Sequence, residues 1–253
     1  MIKQGLIFSF KDLLMECEVI KAYARRFLDK TTVGMIDEVR GNLESIKSNS
    51  STTATTRWSI PDDRPLCTAW SEGESKPDKK STHHVRGEFS FVWEIRPLDE
   101  KPFRGRSYFV LDGLASTVVS VVDKSKQCIS RWTVDVGDHQ SPGTHFHSQI
   151  KKFGTKPLPS SIDSFDIPRF PVLPMSPFLV LEFAIGELFQ DRWRRHALSD
   201  SPEASRWRGI HEPRLKRFFS WQIERLSSSS VGSPWMGLKL AKPLPNLLIG
   251  ESQ

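Results

Sequence analysis

No stretch of this chain is long and apolar enough to cross a bilayer. A span needs about 18–20 apolar residues. The most apolar run, Phe178 to Phe189, is broken by Glu182, Gly186 and Glu187. Met1 to Phe8 is too short for the core of a secretion signal and runs directly into a patterned helix carrying Lys11 and Asp12. Cysteine is scarce. Cys17, Cys67 and Cys128 are odd in number, far apart and without a Cys-x-x-Cys pair, which excludes a disulfide framework and a zinc ribbon. These absences lead us to expect a soluble, cytoplasmic protein with reduced thiols and no membrane partner.

What is present suits one sizeable core. The chain has 253 residues, 38% of them hydrophobic, with eight Trp, so it needs neither metal nor disulfide merely to fold. Its net charge is +6, unevenly placed. Residues 1–149 hold 21 Lys/Arg against 20 Asp/Glu, and residues 150–253 hold 15 against 10. A positive surface confined to the last third is the footprint of a polyanion binder; an ordinary solubilising charge gives the same total.

Three regions follow from pattern. Residues 1–46 read as helical. Ser9-x-x-Asp12 is a capping box, followed by Phe10, Leu13, Cys17, Ile20 and Ala24 at helical spacing. A second helix with Val33, Ile36, Val39, Leu43 and Ile46 starts after Thr31-Thr32. Residues 47–84 are rich in Ser, Thr and Pro and predict a long mobile loop, anchored at most by Trp58, Leu66 and Trp70. Residues 85–253 predict the core domain. Phe89, Phe91, Trp93 and Ile95 alternate with Glu88, Ser90, Val92 and Glu94 as a half-buried strand. Tyr108–Leu111, Thr117–Val122 and Cys128–Val136 predict further strands of an antiparallel meander. Ser176-Pro177 and Ser201-Pro202 are helix starts, and Pro213 predicts another, with Leu215, Phe218, Phe219, Gln222, Ile223 and Leu226 facing inward. The fold class is therefore α+β: an antiparallel sheet with N-terminal helices and a C-terminal helical layer.

Functional side chains are densest between Arg131 and Gln149. Three of the seven histidines, His139, His145 and His147, lie within nine residues, just past a strand. If His145-Phe146-His147 is extended, both imidazoles share one face and Phe146 takes the other. Arg131, Thr133 and Asp135 share a face of the preceding strand. Three readings stay open. The histidines are general acid and base for phosphodiester cleavage, with Asp135 fixing a tautomer and Arg131 facing the phosphate. Or His145 and His147, with Asp135 or His139, bind a divalent metal. Or the rings only hydrogen-bond a turn. The sequence singles out no cofactor. The His-x-His is also cupin-like, but Lys151-Lys152 stand where a cupin glutamate is expected.

The run Trp132-x-x-Asp135, Ser141-Pro142-Gly143-x-His145-x-His147, Ile167-Pro168-Arg169 and Ser176-Pro177-Phe178 resembles a family of uncharacterised bacterial proteins. Their pattern is a strand aspartate, a His-Pro-x-x-His-x-His turn, an Arg-Ile-Pro segment and a Ser-Pro helix start. The strand-to-histidine part is also similar to TumE-type toxins of toxin–antitoxin pairs. The resemblance covers about residues 87–195. It departs at Ser141, which replaces histidine, and at the order Ile-Pro-Arg. It implies a prokaryotic accessory, defence or toxin-like protein and carries no reaction with it.

In the helix expected after Pro213, Arg214, Arg217, Trp221 and Arg225 fall on one stripe, with Arg206, Trp207 and Arg208 before it. Arginine forks grip phosphates and Trp stacks on unpaired bases, which suits RNA or single-stranded DNA. Arginines completing helix termini give the same pattern. The leading expectation is thus a nucleic-acid-directed protein of toxin or defence type, a nuclease using the paired histidines as general acid and base. The alternatives are a non-catalytic protein working with a cognate partner and a His/Asp metalloenzyme with a small-molecule substrate.

Overall fold

Ser9 both ends the first strand and caps the first helix. The structure, a computed structural model, describes residues 5–72, 84–99, 101–136, 144–149, 169–228, 233 and 244–249. Strand β1 (Ile7–Ser9) leads into α1 (Phe10–Tyr23), where the Ser9 side chain accepts from the Asp12 amide at 3.3 Å. Helix α2 (Lys30–Asn49) is capped by Asp29, two residues ahead of the expected Thr31-Thr32.

The strands are β2 (Thr56–Ile60), β3 (Leu66–Cys67), β4 (Val85–Leu98), β5 (Tyr108–Asp123), β6 (Cys128–Asp135), β7 (His145–Gln149) and β8 (Arg169–Pro171). They form one antiparallel sheet in the order β2-β4-β5-β6-β7-β8, with β1 on β5 and β3 on β4. Helices α3 (Pro177–Ala197) and α4 (Pro202–Ser228) complete the chain's α+β architecture. Ser176 caps α3 by accepting from the Leu179 amide at 3.2 Å, with Pro177 at its first position.

The core lies between the sheet and the helices. Trp58, Phe89, Phe91 and Trp93 are almost fully buried. Trp58 stacks edge-on to Phe91 with ring centroids 4.7 Å apart, and Phe178 of α3 closes on both. Farther along, Trp132 of β6 and Phe146 of β7 both meet Phe183 of α3. One sheet face is therefore aromatic and helix-covered. By strand alternation, the other face carries Asp135, His145, His147, Thr133, Arg131 and Ser90.

Three expectations need correction. First, residues 47–84 are not simply a loop. Thr56–Ile60 pairs with β4, and Trp58 is held by burial and by its Nε1–H donating to the Val39 carbonyl at 3.1 Å. Hydroxyl-rich flanks hid a strand with only Trp58 and Ile60 as inward residues. Second, the two strands expected at Tyr108–Leu111 and Thr117–Val122 are one. Gly113, at φ +148°, absorbs an irregularity between Trp93 and Ile95 of β4, and a Cβ there would strike the Glu94 carboxylate. Third, α4 is continuous through Pro213 and is rotated from the expected facing: of the residues expected inward, Phe218 is buried and Leu215 and Gln222 are half-buried. Ala204, Trp207, His211, Arg214 and Phe218 are buried, whereas Phe219, Ile223 and Leu226 are more than half exposed. The reason is electrostatic: α1 presents Asp12 and Glu16 to this helix, and Arg214 answers them.

Candidate functional site

Two neighbouring antiparallel strands bring the sequence cluster together. Asp135 stands directly opposite His145, and Thr133 opposite His147. Alternation sends Phe146 to the helix side and both imidazoles to the polar side, as their spacing predicts. His145 and His147 are 6% and 5% exposed, while the Asp135 side chain is about a quarter exposed. The site is thus sheltered at its imidazoles and reachable at its carboxylate.

Both rings aim the same atom at the same target. His147 Nε2 lies 3.0 Å from Asp135 Oδ2, and His145 Nε2 lies 3.5 Å from that same oxygen. The rings are nearly parallel, at 25°, with centroids 5.5 Å apart. One donor atom from each of the three residues falls within 4.8 Å of the others. An ion with ligand bonds of about 2.0–2.2 Å requires neighbouring donors roughly 3.0–3.5 Å apart. Both nitrogen–oxygen distances fall in that range. Two imidazoles and one carboxylate form a set that transition metals accept, with coordination positions left for water or substrate.

Arg131 lies two register steps further along β6, on the same face. Its Nη2 is 3.6 Å from Asp62 Oδ2, a loose ion pair, and its Nε is buried without a hydrogen-bond partner among the described residues. It leans toward the β4 side of the sheet, where Asp62 also accepts from the Ser90 hydroxyl. Asp62 had no signal in the sequence, because it lies in the segment read as a loop. Thr133, between Arg131 and Asp135, is buried, and its hydroxyl has no partner among the described residues. The period-two pattern placed Thr133 on this face without marking it as functional. His139 lies outside the described residues, as do Asp138 and the Ser141-Pro142-Gly143 turn.

The basic helix surface does not form as expected. Arg214 is buried and donates to Glu16 and, at 3.2 Å, to Asp12. Burial raises the Glu16 carboxyl above its ordinary range despite that guanidinium. Arg217 donates to the Leu247 carbonyl at 3.2 Å and to that of Leu248. Arg208 binds the Ala197 and Ser199 carbonyls, each at 3.4 Å, and Arg206 pairs with Glu18 at 3.2 Å. Arg225 lies over the Trp221 ring, 5.7 Å from its centroid. The predicted stripe is therefore split. Arg214 and Arg217 hold α4 to α1 and to the 244–249 segment, Trp221 and Arg225 are half-buried, and Arg206 is exposed beside Glu18.

No family model, no curated protein and no solved structure matches the chain. Function has to be read from the residues themselves.

Proposed function

We propose that the chain is a metal-dependent enzyme in which Asp135, His145 and His147 hold one divalent transition ion, and that its reaction is hydrolysis of a small molecule. The supporting observation is convergence: two Nε2 atoms from alternate positions of β7 meet one carboxylate oxygen of β6. A three-ligand site keeps a position open, and a metal-bound water is a strong nucleophile at neutral pH. Arrangement argues against the acid–base alternative. In-line displacement at phosphorus places the attacking and leaving oxygens on opposite sides, whereas here both rings engage one oxygen from the same sheet face. Arg214 is buried against Asp12 and Glu16 and Arg217 is tied to the Leu247 and Leu248 carbonyls, so two of the arginines that favoured a polynucleotide have partners within the chain. The thiols of Cys17, Cys67 and Cys128 are all free, which suits a reducing compartment such as the cytoplasm. Among the described residues, no helix is long and apolar enough to cross a membrane.

The test is elemental analysis of protein purified without a histidine tag, followed by assay on carboxylic esters, amides, phosphomonoesters and phosphodiesters. About one ion per chain is expected, with hydrolysis lost to a chelator and regained with the ion. Full hydrolysis by metal-free protein would transfer the reaction to the imidazoles as acid and base.

A further inference from the structure

Arg131 and Thr133 each carry a polar atom that calls for an explanation. Each has a buried polar atom, Nε and Oγ1 respectively, with no hydrogen-bond partner among the described residues. Buried polar groups are nearly always paired, so each such group calls for an explanation. Thr133 is only 5% exposed. Both residues sit on the strand that supplies Asp135, on the same face, at successive same-face positions. Thr133 is the register partner of His147. Among the described residues, the ion-pair partner of Arg131 is Asp62, at 3.6 Å, whose side chain is 71% exposed. Such a pair is weak and readily exchanged for a better anion.

We propose that Arg131 and Thr133 form the subsite that takes an oxoanion group of the substrate, a carboxylate or a phosphate. This rests on the reading of Asp135, His145 and His147 as the reaction centre. A guanidinium fork suits a planar or tetrahedral oxoanion, and a hydroxyl beside it adds one short donor. Same-face residues on a strand stand about 7 Å apart. Thr133 faces His147 across the strand pair and Arg131 stands one same-face step beyond it, so the acidic group binds beside the centre, on the order of 7 Å or less along β6 from His147. The substrate is a small acid whose scissile bond lies some bonds away from its charge. Binding breaks the Arg131–Asp62 pair and turns the guanidinium back along β6.

The experiment uses zinc-loaded full-length protein titrated calorimetrically with inorganic phosphate and, separately, with acetate. The preferred anion identifies the substrate group. The Arg131→Met variant should bind that anion about tenfold more weakly or worse, as loss of a charge-assisted bond predicts, while retaining the wild-type ion content. Arg131→Lys, which keeps the charge but loses the fork, should fall between the two. Equal affinities in wild type and Arg131→Met, with the ion still held, would overturn the subsite and leave the centre standing. An ion content of zero in the wild type would overturn the centre, and the subsite with it.

Discussion

His147 Nε2 lies 3.0 Å from Asp135 Oδ2 although twelve residues separate them in sequence. The contact crosses diagonally between two adjacent strands, because Asp135 faces His145 in register and His147 is one same-face step further. Asp135→Asn keeps the shape and removes the charge. It should weaken ion binding by more than the roughly 10–100-fold that loss of an outer-sphere partner costs, with little change in thermal stability of the metal-free chain. Equilibrium dialysis against a metal buffer measures the first, and a melting curve the second.

Trp58 tests whether residues 56–60 belong to the core. Its ring is 1% exposed, packed on Phe91, Trp93 and Phe178, and tied to Val39. Trp58→Ala should cost about 3–5 kcal/mol in a denaturant titration, as large aromatic truncations in cores do. A change within about 0.5 kcal/mol, the size typical of surface sites, would return the segment to the loop it resembles in sequence.

Arg214 distinguishes a structural cation from a ligand-binding one. It is buried against Glu16, and its removal leaves that carboxylate uncompensated. Arg214→Ala should destabilise the fold by about 3–5 kcal/mol. The double change Arg214→Leu with Glu16→Leu should recover much of that loss, because a buried pair replaced by apolar residues is often neutral.

His211 gives a pH signature. Burial, with Arg214 nearby, pushes its imidazole down to about 3. The unfolded chain takes up a proton near pH 6.5, and the folded chain does not until about pH 3. Stability from this group is therefore complete above pH 6.5 and is lost as pH falls through that window, by up to about 1.4 kcal/mol per pH unit. His211→Leu should flatten the acid limb of a stability–pH profile between those values. An unchanged slope would show that other groups set it.

Much of the site was legible because its geometry is local. A period of two fixed which side Phe146 faces, and β6 and β7 lie close together in the sequence, so His145, His147 and Asp135 could be placed together from spacing. The Ser9 and Ser176 caps were legible for the same reason, since each uses an amide three residues away. What was missed depends on distant partners. Asp62 reaches Arg131 only because β2 pairs with β4. The inward face of α4 is rotated away from part of its hydrophobic stripe because Arg214 pairs with Asp12 and Glu16, roughly 200 residues earlier. Helical periodicity offers a stripe, and here a buried ion pair turned the helix so that Phe218 of that stripe is buried while Phe219, Ile223 and Leu226 are exposed.

The central claim is most directly tested by cobalt titration of the metal-free protein, followed by visible absorption. Ligation by two imidazoles and a carboxylate predicts d–d bands that grow to saturation at one equivalent, and their loss in His147→Ala and His145→Ala with folding retained. No saturable bands in the wild type, or the same titration in both variants, would contradict a metal centre at Asp135, His145 and His147.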